Sequence, residues 1–296
     1  MKRKIYAWIV SLRLRTLPLA LSTVIMGTII AYNQEMMNAK VMWGAIFTTL
    51  FLQILSNLAN DYGDAVTGAD NEERQGPKRM IQSGKITMRE MKIAVIINSL
   101  LALISGVALL YSAFEGFSYI QILFLLLGIA AIAAAIKYTV GKNPYGYSGF
   151  GDLFVFLFFG LLGVAGTWYL HTKAWEWAIL LPASTIGLFS VGVLNINNIR
   201  DRETDIEFNK KTMAVILGDK NARVYHAIMI IIAWILMISY MIITNSFDKF
   251  YFQFLTFPLF VRNVIVVYKS DKSSKLDKEL RNLSLTTLLF VLLGIF

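Results

Sequence analysis

Long apolar runs alternate with short polar stretches along almost the whole chain. Eight runs are clear, and a ninth near the C-terminus is shorter. They predict helices at Leu17–Tyr32, Val41–Ala59, Ile93–Ala113, Tyr119–Ile136, Leu153–Leu170, Trp177–Ile196, Val224–Thr244, Tyr251–Tyr268 and Leu283–Phe296. Because a helix needs about 20 apolar residues to cross a bilayer, the pattern predicts an all-α, polytopic membrane protein with about nine transmembrane helices. The ninth run either begins earlier, with Lys278 and Arg281 reaching the interface, or lies partly in the interface.

Composition supports this prediction and excludes several kinds of site. Of the 296 residues, 56% are hydrophobic and 16% are charged, and the mean hydropathy is +0.59. The absence of cysteine excludes disulfides, zinc-thiolate sites and thiol nucleophiles. A net charge of +9 in so apolar a chain indicates loops that face anionic lipid, and no nucleic-acid partner is expected.

Lysine and arginine are distributed unequally between the two sides of the predicted membrane protein. The N-terminal segment and the loops after the second, fourth, sixth and eighth runs hold 24 of the 28 basic residues, and the opposite loops hold three. The positive-inside rule therefore places the N-terminus on the cytoplasmic side of the cell (inner) membrane. Aromatic side chains near the opposite interface form the expected belt: Trp43, Trp168, Tyr169, Trp175 and Trp177.

Two clusters of amide and carboxylate side chains follow the second and sixth runs, both on the predicted cytoplasmic side. The first contains Gln53, Asn57, Asp61 and Asp64, and the second contains Asn197, Asn198, Asp201 and Asp205. Steps of three and four residues keep these groups on one helix face. Asn57 and Asn197 are 140 residues apart, as are Asp61 and Asp201. The spacing predicts a single domain over 1–296 built from two four-helix halves, at about 17–136 and 153–268.

The composition of the clusters indicates a magnesium–diphosphate site. Oxygen ligands without cysteine or histidine favour a hard cation such as Mg²⁺, which commonly shares its site with substrate phosphates. Basic residues accompany the acids in the same loops: Arg74, Lys78, Arg79, Lys85, Lys142, Arg202, Lys210 and Lys211. Carboxylates that hold a cation, together with bases that neutralise phosphate oxygens, would stabilise a departing diphosphate.

Five sequence motifs together resemble a known family. They are Arg13-Leu14-Arg15-Thr16-Leu17-Pro18; Asn57 to Asp64 followed by Gly76-Pro77-Lys78-Arg79; Tyr138-Thr139-Val140-Gly141-Lys142; Pro144-Tyr145-Gly146-Tyr147 with Gly151 to Phe156; and Asn197-Asn198-Ile199-Arg200-Asp201 through Asp205. In this order and at these spacings, the chain resembles the UbiA-type intramembrane aromatic prenyltransferases. It is most similar to those that act on 1,4-dihydroxy-2-naphthoate in menaquinone synthesis.

The resemblance implies a fold, a reaction and a set of site residues. The helices would enclose a central cavity beneath cytoplasmic cap loops. Polyprenyl diphosphate, bound through Mg²⁺, would ionise toward an allylic cation, and 1,4-dihydroxy-2-naphthoate would attack it with loss of diphosphate and CO2, giving demethylmenaquinone. Asn57, Asp61, Asp64, Asp201 and Asp205 match the metal-binding residues. The four aspartates with Tyr138 and Lys142 match the catalytic set, and the substrate-binding set is Asn57, Lys78, Arg79, Lys142, Asn198 and Arg202.

The chain departs from the family pattern at two positions that bear on the site. Gly68 stands where a further aspartate is usual, and Asp70 follows two residues later. Asn209 stands where a glycine is usual, just before Lys210 and Lys211.

Other interpretations of the same residues remain open at this level. A cation-coupled transporter could use the aspartates as ion sites, although such sites usually lie near the bilayer midplane. A prenyltransferase for another aromatic acceptor, such as 4-hydroxybenzoate, would need the same acids and bases. Arg13 and Arg15 are interpreted as anchors for lipid headgroups. Arg262, alone within a predicted span, is either functional or paired with a polar partner.

Overall fold

The structure, a computed structural model, describes residues 2–68, 79–142, 144–270 and 273–295. These residues form helices and turns without strands, which confirms the all-α prediction. The α-helices are α1 (Lys2–Ser11), α2 (Leu17–Asn33), α3 (Ala39–Thr67), α4 (Met88–Ala113), α5 (Tyr119–Lys137), α6 (Gly151–Val155), α7 (Thr167–Thr172), α8 (Leu180–Arg200), α9 (Arg202–Glu207), α10 (Met213–Leu217), α11 (Asp219–Ile243), α12 (Phe247–Phe250), α13 (Phe257–Lys269) and α14 (Ser273–Leu292). A π-helical segment, Phe156–Gly166, joins α6 to α7.

Eight helical stretches of the described chain are long and apolar enough to cross a membrane. They coincide with the eight clear apolar runs, so the prediction of a multi-pass membrane protein is confirmed. The second stretch continues beyond its predicted end at Ala59 to Thr67, and α3 therefore carries the whole first acidic cluster. Gly68, with φ of 76°, ends this helix in the left-handed conformation that glycine adopts without steric cost.

The ninth run belongs to a longer helix than predicted. α14 begins at Ser273, ten residues before the predicted start at Leu283, and its 20 residues make it roughly 30 Å long. Its first half is too polar for it to count among the eight apolar stretches, but it packs against α2 and α8. Arg262 of α13 pairs with Glu279 of this helix at 3.1 Å, which gives that arginine a structural partner.

Close helix packing fixes the position of α8 at the centre of the bundle. Gly160 of the π-helical segment lies so close to α8 that a Cβ atom there would stand 2.7 Å from the carbonyl oxygen of Ala183. On another face, the Phe189 ring stacks on Phe260 with ring centroids 4.3 Å apart, and meets the edge of Phe290 at 5.4 Å. These contacts hold α8 against the π-helical segment, α13 and α14, and so place its C-terminal end.

The aromatic belt is only partly as predicted. Trp43, Trp175 and Trp177 are at least half exposed, as residues of an interface would be. Trp168 is instead buried and donates a hydrogen bond to the Gln34 side chain at 2.7 Å. Its indole N–H therefore has a partner inside the protein, and Trp168 is a core residue.

Candidate active site

A cavity of about 410 Å³ lies within the helix bundle and receives both acidic clusters at one end. Asn57 and Asp64 line it from α3, Asn197 and Asn198 line it from α8, and Asp201 lines it from the position just after α8. Asp205 and Lys210 complete this polar end from the segment that follows α8. The predicted convergence of the two clusters on one cavity is therefore observed.

The opposite end of the cavity is apolar and lies deep in the bundle. Along α3 the cavity wall runs from Asp64 at the polar end to Ala45 at the apolar end. Their 19-residue separation corresponds to roughly 28 Å along a helix. Phe158, Phe159 and Leu162 line it from the π-helical segment. The cavity therefore extends through most of the thickness of a hydrocarbon layer.

The position of the first cluster depends on a close contact between α3 and the segment after α5. Gly63 lies against Thr139, where a Cβ atom would stand 2.6 Å from the threonine Oγ1 and 2.7 Å from its carbonyl oxygen. The Thr139 hydroxyl donates to the Ala59 carbonyl at 3.1 Å. Since Gly63 lies between Asp61 and Asp64 in the sequence, this contact sets where the two carboxylates stand.

Two arginines neutralise these carboxylates. Arg79, which is 6% exposed, contacts Asp61 through Nη1 and bonds Asp64 through Nη2 at 2.6 Å. Arg13 also contacts Asp61. Arg13 lies between α1 and α2 and has a left-handed backbone φ of 48°. Asp61 is not among the described residues that line the cavity, whereas both of its arginine partners are.

The amide of Asn57 donates to Thr16 Oγ1 and to the Leu12 carbonyl, each at 3.0 Å.

The second cluster begins where α8 ends. Asp201 is held by its neighbour Arg200 through two hydrogen bonds of 2.7 Å, one to each carboxylate oxygen. Asn198 is 5% exposed and faces the cavity. Asp205 lies one turn further, in α9, and its carboxylate stands 3.6 Å from Lys210 Nζ. Both aspartates are therefore placed in the cavity wall by the break between α8 and α9.

A chain of contacts connects the two clusters across the polar end. The Tyr147 hydroxyl donates to Asp64 Oδ1 at 2.9 Å, and Lys210 Nζ stands 4.9 Å from the centre of the Tyr147 ring. Lys210 in turn pairs with Asp205. Asn209 has a φ of 53°, a left-handed backbone conformation that asparagine adopts more readily than most other residues with a side chain.

Burial and like charge affect the ionisable groups at this end. Burial, assisted by the nearby carboxylates of Asp201 and Asp64, raises the pKa of Asp205 to about 6, although Lys210 opposes the shift. Burial also raises the pKa values of the Tyr138 and Tyr147 hydroxyls, with the negative charge of Asp64 adding to both shifts. Both tyrosines are therefore neutral hydrogen-bond donors at physiological pH.

The remaining predicted residues occupy different places. Tyr138 lines the cavity. Lys142 is exposed and is not among the described lining residues. Arg202 donates to the Ala214 carbonyl at 3.2 Å, and likewise is not among the described residues of the cavity wall. Lys78 and Asp70 lie outside the described residues.

Carboxylates of both clusters are paired with arginines and, in the described part of the chain, do not form a ready-made metal site. Among the described residues, no group of three histidine or acidic side chains is arranged to hold a metal ion. Asp61, Asp64 and Asp201 each form an ion pair with an arginine. Asn57, Asp64, Asp201 and Asp205 nevertheless bring oxygen donors to one cavity, and oxygen donors are the ligands that Mg²⁺ prefers.

The sequence pattern did not predict the positions of Arg13, Arg15 and Tyr147. Arg13 and Arg15 line the cavity and pair with Asp61 and Asp277, so their interpretation as headgroup anchors was wrong. Their place in a family-like motif was the signal that could have identified them. Tyr147 lay in another such motif, but nothing local indicated that its hydroxyl would reach Asp64.

Comparison with known proteins agrees with this geometry. The model of the UbiA prenyltransferase family matches residues 20–291. The 1,4-dihydroxy-2-naphthoate octaprenyltransferase of Haemophilus influenzae is 43% identical over 292 residues, which cover 98% of this chain and 94% of the relative. The enzyme of the same name from Escherichia coli is 43% identical over 294 residues, which cover 98% of this chain and 95% of the relative.

A solved structure shows the same fold. The apo structure of a UbiA homologue from Aeropyrum pernix K1 superposes with a TM-score of 0.71 over 95% of each chain, at 18% identity. The helical architecture is therefore retained where little sequence identity remains. From the family match over most of its length and the full-length relatives, this chain belongs to the UbiA prenyltransferase family.

Proposed function

We propose that this protein transfers a polyprenyl group from polyprenyl diphosphate to 1,4-dihydroxy-2-naphthoate, with loss of diphosphate and CO2, to give demethylmenaquinol, the reduced form of demethylmenaquinone. The observation that carries the proposal is a single cavity with both acidic clusters at one end and a long apolar wall beyond them. The names of the two bacterial relatives at 43% identity support the naphthoate as acceptor. Among the residues that the structure describes, no feature of the cavity favours a transporter or a hydroxybenzoate acceptor over this reaction.

The polar end suits a diphosphate because its charges can be redistributed. Arg13, Arg15, Arg79 and Lys210 line the cavity together with the carboxylates. A diphosphate has more acceptor oxygens than a carboxylate, so it can take over hydrogen bonds that Arg79 and Arg13 now donate to Asp61 and Asp64. The carboxylates released in this way become available to a cation.

We assign Asn57, Asp61, Asp64, Asp201 and Asp205 as the residues that would hold Mg²⁺. When bound there, the cation would neutralise the charge that develops on the departing diphosphate. The chain itself supplies the remaining stabilisation, since Tyr147 donates toward this end and Lys210 carries a positive charge beside it. Lys210, which lines the cavity, would stabilise the leaving group as the carbon–oxygen bond breaks, and Tyr147 would orient the Asp64 carboxylate.

Aromatic rings follow the polar end and suit an allylic cation. Tyr145 stacks on Phe154 with centroids 4.0 Å apart, and Phe154 faces Phe158 at 6.1 Å. All three rings line the cavity. Their π faces can stabilise the positive charge of the prenyl group by cation–π attraction and exclude water that would capture it. The electron-rich naphthoate ring then forms the new carbon–carbon bond.

We place the polar end of the cavity at the cytoplasmic face of the cell membrane. The segments on that side hold 24 of the 28 basic residues, as the positive-inside rule requires for short cytoplasmic loops. A soluble naphthoate and a diphosphate head would enter from this side. The polyprenyl tail would extend along the apolar wall.

The test is turnover by purified protein supplied with Mg²⁺, a polyprenyl diphosphate and either 1,4-dihydroxy-2-naphthoate or 4-hydroxybenzoate. We expect diphosphate release that depends on the naphthoate and stops when EDTA removes the cation. Asp61→Ala and Asp201→Ala should each abolish turnover without loss of membrane insertion. Asp248→Ala, an exposed acid outside the cavity lining, is the matched control and should retain activity. Release with hydroxybenzoate alone would refute the acceptor, and near-normal rates in both cluster variants would refute the cation site.

A further inference from the structure

Arg200 connects the second acidic cluster to α14, a helix that contributes no residue to that cluster. The Arg200 side chain is 2% exposed and bonds Asp201 in a bidentate fork, with Nε and Nη2 each 2.7 Å from a carboxylate oxygen. Nη2 also donates to Asn197 Oδ1 at 2.9 Å. One guanidinium therefore orients two residues of the cluster. What else this guanidinium contacts determines how much of its charge acts on Asp201.

Asp277, in the second turn of α14, faces the other side of that guanidinium. Its Oδ1 accepts from Arg200 Nη1 at 2.7 Å, and both of its oxygens stand 3.1 Å from Arg15 Nη1. Arg15 lines the cavity, and so does Asp201. Asp277 therefore lies between the guanidinium groups of Arg200 and Arg15, beside the polar end of the cavity. The Asp277 side chain remains one-third exposed, at 33%.

We infer that Asp277 is a positioning residue that keeps Asp201 available as a cation ligand. This inference rests on the proposed function. By sharing the charge of Arg200, Asp277 limits how strongly the guanidinium competes for Asp201. Asp277 also holds Arg15 in the cavity wall and partly neutralises the charge of that arginine. Partners of this kind, which contact a ligand's neighbour, commonly change metal affinity when they are removed.

Asp277→Asn is the informative substitution, because the amide keeps the shape of the carboxylate and removes its charge. Arg200 would then direct its charge toward Asp201 and weaken that carboxylate as a ligand. We expect the affinity for a divalent cation to fall about tenfold, at the lower end of the range for such partners. The probe is Mn²⁺, followed by its electron paramagnetic resonance signal as it binds the detergent-purified full chain with a non-hydrolysable polyprenyl thiodiphosphate.

Two further variants separate positioning from stability. Asp219→Asn breaks a similar fork, in which Arg223 bonds Asp219 at 2.8 and 3.0 Å, but Asp219 is half exposed and is not among the described residues that line the cavity. It should leave Mn²⁺ affinity unchanged. Asp277→Glu restores the charge and should recover most of the lost affinity.

The outcomes are distinct. Weaker Mn²⁺ binding by Asp277→Asn at an unchanged melting temperature, with recovery in Asp277→Glu, would support the inference. Equal binding by wild type and Asp277→Asn would overturn this inference alone. So would a loss of affinity in Asp277→Asn that merely follows a lower melting temperature and is matched by Asp219→Asn. Wild-type protein that fails to bind Mn²⁺ with the analogue would overturn the proposed cation site and this inference with it.

Discussion

Gly63→Ala tests whether the contact between α3 and the segment after α5 positions the first acidic cluster. A Cβ atom at this position would stand 2.6 Å from Thr139 Oγ1, 2.7 Å from its Cβ and 2.7 Å from its carbonyl oxygen. Ordinary contacts between such atoms are about 3.5 Å or longer. The obstruction includes backbone, and Thr139 is itself buried at 1% exposure, so no side-chain rotation relieves it. α3 must move, and Asp61 and Asp64 move with it.

The magnitudes favour activity as the measurement. Overpacking of this kind costs about 1–3 kcal/mol, whereas alanine gains about 1 kcal/mol over glycine within a helix. The net loss of stability is therefore small, on the order of 0–2 kcal/mol. A catalytic group misplaced by about 1 Å can nevertheless slow turnover about 100-fold. We expect Gly63→Ala to melt near the wild-type temperature and to lose about 100-fold in turnover.

The assay is naphthoate-dependent diphosphate release, run beside a thermal melt of the same preparation. Gly192→Ala is the matched control, because Gly192 lies in helix α8, is not among the described residues that line the cavity, and a Cβ there would meet its neighbours at 3.4 Å or more. It should retain turnover and melt slightly higher. If Gly63→Ala keeps turnover within about twofold of wild type, the Thr139 contact does not position the carboxylates.

Three further outcomes are expected. Burial raises the pKa of Asp205 to about 6, above its usual value in the unfolded chain, so its buried charge destabilises the folded protein at higher pH. Asp205→Asn should therefore raise the melting temperature in EDTA more at about pH 8 than at about pH 5. An equal gain at both pH values would contradict this expectation. Tyr147→Phe removes the 2.9 Å hydrogen bond to Asp64 and should lower kcat/KM about tenfold, a value for one hydrogen bond to a charged group; an unchanged kcat/KM would be the contrary result. Arg262→Met leaves the Glu279 carboxylate, which is 3% exposed, without its ion pair and should lower the melting temperature by a few degrees. The double variant Arg262→Met, Glu279→Gln should recover most of this loss. No recovery would show that the unpaired charge is not the cause.

The sequence by itself determined the architecture and the acidic half of the site. Each apolar run is a local signal, because a segment in lipid must satisfy its backbone hydrogen bonds within itself, so hydropathy alone located the eight spans. Spacing predicted Asn57, Asp61 and Asp64 on one face of a helix, and α3 includes all three, although only Asn57 and Asp64 line the cavity. The division into two four-helix halves remains a prediction.

Only the tertiary structure decided which charges meet. Arg15 and Asp277 are 262 residues apart and share two contacts, and Tyr147 reaches Asp64 from 83 residues away. Neither pairing has a local sequence signal, because side chains from remote segments meet only after the helices pack. Lys142 shows the converse, since it belongs to a family-like motif and yet is exposed. Helix packing, set by contacts such as Gly63 against Thr139, therefore determines the basic half of the site.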